Sequence, residues 1–432
     1  MKDRLAALID GDAAHLIGIG EDIFAHPELA WQEHRTADLV AGQLRALGLP
    51  VTEGLAGTGV RAELVGAGSG PTVCVLAELD AIRVPGHPAA DPATGAAHAC
   101  GHNAQVAHLV GVARAFVAAD LAGKLNGRVV FFAVPAEEYL DIRFTVDDRS
   151  RFPGGKQELI RLGHFDDIDA AMMVHAVGDT RATPLGMTWQ HTGFTPLRAE
   201  FAGYSAHAAS AAGDGVDAMA AARVALHALD AQREAFADHV RVHPVLRTGD
   251  PALNVIADHA TVDTLIRGLT PNAISQARTR VERSMRAGAL ALGAGLTVTV
   301  GPGYRPLTVD RGLGEVFRRQ AIALTGAANW TETPVTTAST DAGDLSALIP
   351  VLHPTHGGCV GANHSAQFRV TDPYVAYVLP AKALAWTIVE LLAPGAPPLH
   401  HGARLTREAY VAEMLTAQGD RSFSGDPVTG QG

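Results

Sequence analysis

Cys100 and His102 stand two residues apart, with Gly101 between them, just before an apolar, alanine-rich stretch. A thiolate and a neutral imidazole at this spacing are strong ligands for zinc and related divalent ions, and a poor way to build a core. The pair says little alone, but other groups of matching chemistry follow. Glu137 and Glu138 are adjacent at the end of one apolar run, His175 closes another, and His364 lies in the late stretch Gly361-Ala-Asn-His-Ser365. Burying two neighbouring carboxylates is costly unless cations compensate. Two divalent ions would do so, and in a two-metal hydrolytic site they activate a shared water and polarise the scissile carbonyl. A neighbouring carboxylate that is not a ligand can take the water's proton and give it to the leaving nitrogen. An adjacent glutamate pair can supply one ligand and one base.

The elements that must position these groups are buried strands. Thr72–Ala77 runs into Glu78-Leu-Asp80, Gly127–Val134 into Pro135-Ala-Glu137-Glu138, and Ala170–Val174 into His175. In an open α/β sheet, functional groups gather beyond the carboxyl ends of the strands, and Asp80, the glutamate pair and His175 all sit there. Helical spacing predicts helices over residues 3–26, 33–47 and 104–119. From about Met187 the texture changes: a strand over 188–201, a helix over 211–229, a strand over 260–269, a helix over 272–290 and a strand over 295–300. This order resembles a self-contained split βαβ unit. Gly301–Pro306 reads as a return crossing, Pro350–His353 as a short strand and Tyr374–Leu392 as a long apolar helix. The expected fold class is α/β: a three-layer, mixed-sheet catalytic domain over 1–187 and 303–398, with an inserted α+β, ferredoxin-like domain over 188–302. The extension 399–432 is expected to hold one helix near 405–415 and to end in disorder.

The bulk numbers exclude some classes. The 432 residues are 47% hydrophobic and 18% charged, as in a packed globular enzyme, and the net charge of −11 comes with no Lys/Arg cluster. That argues against nucleic acid and against an anionic membrane surface as partners. No run reads as a bilayer span and the N-terminus does not read as a signal peptide. Three cysteines (Cys74, Cys100, Cys359) cannot all pair, which suggests a reducing compartment. A cytoplasmic location is expected.

Taken in order, the motifs resemble the M20 family of metal-dependent amidohydrolases and peptidases, and most closely its N-acyl-amino-acid, hippurate and aminobenzoyl-glutamate hydrolase branch. The matching pieces are His26-Pro-Glu-Leu29 with Glu33, Ala77-Glu-Leu-Asp-Ala81, His98-Ala-Cys-Gly-His-Asn103, Pro135-Ala-Glu-Glu138, Val174-His175, Gly203-Tyr-Ser-Ala-His-Ala208, Asn254-Val-Ile256 and Gly361-Ala-Asn-His-Ser365. The resemblance extends to about residue 395.

It implies metal ligands Cys100, His102, Glu138, His175 and His364, with Cys100 bridging two divalent ions and Glu137 as general base. His353 and His356 compete with His364 for the late ligand position, and the Gly-x-Asn-His-Ser context favours His364. Zinc, manganese and cobalt all suit the set. The inserted domain is implied to be a lid that also forms a homodimer. His207 is implied to stabilise the oxyanion, across the dimer interface, and Asn254 to contact substrate. Asp80 is implied to orient a metal-ligating histidine. The implied reaction is hydrolysis of the amide bond of a small N-acyl or N-aroyl amino acid. The alternatives are a dipeptidase or aminopeptidase on the same scaffold, and a silent metabolite-binding relative.

Two departures stand out. Asn103 replaces an aspartate common in hippurate-type members, which points to the aminobenzoyl-glutamate side. Residues 139–153 look like an insertion beside the chemistry, and their Arg143, Arg149 and Arg151 are candidates for a substrate carboxylate contact.

Overall fold

The computed structural model describes residues 1–138, 150–179, 183–249, 252–396, 399 and 404–423. Its centre is the strand Thr72–Glu78, buried at every position, so both faces of its sheet are covered. It pairs in parallel with Arg128–Val134 on one side and with Ala170–Met172 on the other. Val351–Leu352 extends the parallel side, while Gly59–Val65 and Val51–Leu55 add antiparallel strands at the opposite edge. The result is a mixed, six-stranded sheet. Its register sets Glu78 level with Val134, so both strands release their acidic residues at one rim.

The helix His102–Ala118 packs on the central strand and is itself covered by Ala13–Ala25 and Leu379–Leu391. Residues Tyr374–Leu391 are long and apolar enough to cross a membrane by length and composition, but 72% of them are buried here, as suits a core helix. The N-terminal helical pattern is interrupted at Asp12, between Lys2–Gly11 and Ala13–Ala25. The Asp12 carboxylate is engaged by Arg114 of the helix His102–Ala118 beneath.

A second sheet has its own core. Gly193–Ala202 lies between His259–Gly268 and Gly295–Val300, and two helices, Ala218–Asp230 and Pro271–Leu292, pack on these strands. Leu197, Phe201, Val262, Ile266, Val281 and Met285 fill the space between. The outer strand Arg241–Thr248 has no counterpart in the sequence-based expectation. It is partly exposed and carries Pro244, features of an edge strand that weaken the alternating signal.

The single strand expected over 188–201 is two strands in different sheets. Leu185–His191 pairs with Pro354–His356 and Leu307–Thr308, whereas Gly193–Ala202 belongs to the second sheet. At the switch, a Cβ on Gly193 would lie 2.4 Å from the Tyr304 carbonyl oxygen and 2.5 Å from Pro306 N, so only glycine fits.

The C-terminal stretch also departs from expectation. Arg407–Ala417 is helical, as expected, with the Thr406 side chain accepting from Ala409 N. Gly419–Phe423, a strand absent from the sequence-based expectation, pairs antiparallel beside Gly295–Val300. Tyr410 is buried in the core around the six-stranded sheet and donates its hydroxyl to Asp344 at 2.9 Å, while Arg421 pairs with Glu282 of the second unit. A cleft of about 560 Å³ opens at this junction, lined by Phe194, Arg278, Pro302, Tyr304, Met414 and Arg421 among others.

Candidate metal centre

The rim of the central sheet brings the chemistry together. His102 opens its helix behind Gly101, whose φ of +86° is open to glycine and whose Cβ would stand 2.4 Å from that of Ala176. Cys100 is thereby set at the helix N-terminus, where a thiolate is favoured. The turn that delivers Glu137 and Glu138 passes through Ala136 at φ +47°, a left-handed residue that needs support. Support comes from buried Glu33, which accepts from Ala136 N at 2.8 Å and Trp31 N at 2.9 Å through one oxygen, and from Thr58 Oγ1 at 2.8 Å through the other. Tyr304 donates its hydroxyl to the Glu137 carbonyl at 2.6 Å, and Glu138 N donates to Asp80 Oδ2 at 2.8 Å.

Cys100 Sγ lies at the middle of the cluster, 3.4 Å from His175 Nε2 and 3.2 Å from His364 Nε2. The same His364 nitrogen is 3.2 Å from Glu138 Oε1. His102 donates from Nδ1 to the Asp80 carbonyl at 2.9 Å, with Asp80 Oδ1 at 3.3 Å, and His175 donates from Nδ1 to the Ala176 carbonyl at 2.9 Å. These bonds fix both tautomers and leave each Nε2 lone pair directed into the cluster. Donor atoms of Cys100, His102 and His175 lie within 4.8 Å of one another, as do those of Cys100, Glu138 and His364, and those of Glu78, His102 and Glu137. His102 Nε2 and Glu138 Oε1 are buried and make no hydrogen bond. Buried polar atoms are normally satisfied, so these converging atoms fit the coordination of a divalent ion. Soft thiolate, imidazole and carboxylate donors together suit such an ion.

The electrostatics agree. Burial opposes a thiolate at Cys100, but His175 and His102 hold its pKa well below the usual thiol range. Burial likewise opposes a charged His102, while Glu78 and Cys100 push its pKa well up. Burial and the Cys100 charge raise Glu138 to about 7, and burial together with Glu78 and Glu138 raises Glu137 far above the carboxylate range. A pocket that so disfavours its own carboxylate charge is one that gains from added cations.

Among the competing late histidines, His364 reaches the cluster at φ +65°. His356 is buried elsewhere, donating from Nδ1 to the Gly357 carbonyl at 2.7 Å, and His353 stacks on the outer side of His175 with ring centroids 5.6 Å apart. His207 and Asn254 sit side by side on the second unit, joined by a bridge between His207 and Val255 and by Ala208 N donating to the Asn254 carbonyl. Both are exposed, and no described contact links either to the cluster. Asn103 turns away from it: its buried amide donates to the Gly20 carbonyl at 2.9 Å and to Tyr377 Oη at 3.1 Å, so it serves helix packing. Arg143 and Arg149 lie outside the described residues, and Arg151 is exposed.

Sequence reasoning passed over Glu78, Lys156 and Asp341. Lys156 is wholly buried behind the cluster, donating to Glu78 Oε1 at 2.6 Å and pairing with Asp341. The available signal was Glu78, which ends the same buried strand that carries Asp80.

The description of peptidase family M20/M25/M40 matches residues 74–380 of the 432, and the chain belongs to that family. A mouse Xaa-Arg dipeptidase is 27% identical over 434 aligned positions, covering 94% of this chain and 91% of the relative. An N-acyl-L-amino acid amidohydrolase of Geobacillus stearothermophilus is 28% identical over 191 residues, covering 44% of this chain and 48% of that protein. A Bacillus subtilis protein described as a dinuclear metal binding peptidase of the M20 family superposes with a TM-score of 0.66 at 20% identity, over 89% of this chain and 99% of that one. This chain is therefore an M20 hydrolase with the mixed α/β fold of that family.

Proposed function

We propose that this enzyme hydrolyses the amide bond of a small N-acyl or N-aroyl amino acid, using two divalent ions held by Cys100, His102, Glu138, His175 and His364. The observation that carries this reading is the placement of Cys100 Sγ between His175 Nε2 and His364 Nε2. When bound, the ions supply a water of lowered pKa and polarise the scissile carbonyl. Glu137 then has the role of base: its Oε2 lies 3.9 Å from His102 Nε2, at the edge of the ligand set, and Tyr304 pins its main chain. It takes the water's proton and returns it to the leaving nitrogen. Asp80 orients His102 and anchors Glu138 N. The second unit acts as a lid, and in a homodimer would bring His207 to a neighbouring site. Ala209 N and Ser210 N both donate to His207 Nδ1 at 3.2 Å, leaving Nε2–H to donate to an oxyanion.

The length-wide similarity to a dipeptidase supports a second reading, cleavage of free dipeptides on the same scaffold. A panel of N-acyl amino acids against free dipeptides, with zinc, manganese or cobalt restored after chelation, separates the two by which class is turned over. Glu137→Gln should lower kcat by about 10²–10⁴ while leaving metal content unchanged. Turnover that survives both chelation and Glu137→Gln refutes this mechanism.

A further inference from the structure

We propose that Glu78 is a direct ligand of the ion held by His102, so that the centre has one more carboxylate donor than the five residues assigned above. This inference rests on the two-metal reading.

The geometry is that of one coordination polyhedron. His102 Nδ1 is committed to Asp80, which leaves Nε2 as the ligating atom. Glu78 Oε2 lies 3.0 Å from that nitrogen. With metal–nitrogen and metal–oxygen bonds of about 2.0–2.2 Å, two donors on one ion stand roughly 3 Å apart. Glu137 Oε2, at 3.9 Å from the same nitrogen, is further out, as suits a base that is not a ligand.

The carboxylate is also fixed in place. Glu78 has no exposed surface. Its Oε1 accepts from Lys156 Nζ at 2.6 Å, its Oε2 accepts from Gln105 Nε2 at 2.8 Å, and its own N–H donates to Gln105 Oε1 at 2.9 Å. Such outer contacts orient a ligating carboxylate. Lys156 alone does not balance the buried charge, because it is shared with Asp341, and Asp80, Glu137 and Glu138 lie close by. A dication beside Glu78 Oε2 and His102 Nε2 would add positive charge to this cluster of carboxylates. A purely structural Glu78–Lys156 pair would not require the second oxygen to stand beside the one unbonded nitrogen of a metal-ligand histidine.

The test is titration of chelator-stripped, full-length protein with cobalt(II), read by calorimetry and by the visible spectrum of the bound ion. Wild type is expected to take two equivalents. Glu78→Gln is expected to bind one as wild type does and the other at least tenfold more weakly, with a changed visible spectrum, because the coordination itself differs. Asp80→Asn, which orients His102 without touching the ion, should weaken binding with the spectrum retained. Glu78→Asp keeps the charge and withdraws the oxygen by one methylene, so it should reproduce the Glu78→Gln spectrum, and it serves should the glutamine variant fail to fold. Wild-type affinity and spectrum in either Glu78 variant overturn the assignment. No cobalt binding by wild type would instead overturn the metal reading on which it rests.

Discussion

Glu33→Gln separates the two jobs of a carboxylate that braces the catalytic turn. Glu33 is buried, and burial together with the nearby Asp80 charge raises its pKa from 4.5 to about 7. A raised acid favours the native state while protonated: its contribution is complete below pH 4.5 and is lost as pH rises through about 7. At 1.36 kcal/mol per pKa unit, the metal-free wild type loses about 3 kcal/mol from this group between pH 4 and pH 8. Glutamine keeps one oxygen for Ala136 N and Trp31 N and presents an NH₂ that can donate to Thr58 Oγ1, for a local cost of about 1 kcal/mol. Urea unfolding of metal-free protein should therefore find the variant slightly less stable than wild type at pH 4 and more stable by about 2 kcal/mol at pH 8. A stability difference that does not change with pH refutes the argument. Loading the site with cations should shrink the difference, because added positive charge lowers the Glu33 pKa.

Asp80→Ala removes the oxygen that accepts from Glu138 N and the carboxylate beside His102, and should weaken metal binding by about 10–100-fold in a chelator competition. Gly193→Ala forces a Cβ against backbone atoms at the switch between sheets and should lower unfolding stability by about 1–3 kcal/mol, measured by denaturant titration. Tyr410→Phe withdraws the hydroxyl that donates to Asp344, whose pKa is raised to about 7 by burial and by Asp341. The cost should be about 1–3 kcal/mol and larger at pH 8 than at pH 5, because a charged carboxylate needs the donor more.

The polar cluster at the sheet rim was legible because buried strands end in polar groups, and Asp80, Glu137, Glu138 and His175 all close apolar runs. Their register, which places Glu78 level with Val134, is a matter of strand pairing and not of local pattern. Lys156 was not legible: in Gly155–Arg161 a lysine reads as a solvent-facing residue, and only the tertiary pairing with Glu78 and Asp341 explains its burial. Asn103 read as a subfamily marker by its place in the motif; that its side chain, one helical step from His102, packs towards Gly20 and Tyr377 is a matter of tertiary packing and not of the motif. The strand at Gly419–Phe423 was hidden by a polar, glycine-bounded composition, which becomes ordered by borrowing the open edge of Gly295–Val300.

That borrowed edge changes how the two units can move. The chain passes between them at Thr192, again through residues 301–306, and a third time where the helix Arg407–Ala417 hands over to Gly419–Phe423. A body held by two connections can swing about them; a third connection restrains that swing. All three passages border the same cleft of about 560 Å³, through Phe194, Pro302, Tyr304, Ala417 and Arg421. A rotation of the second unit against the first would therefore squeeze or widen that space, or peel the terminal strand from its neighbour.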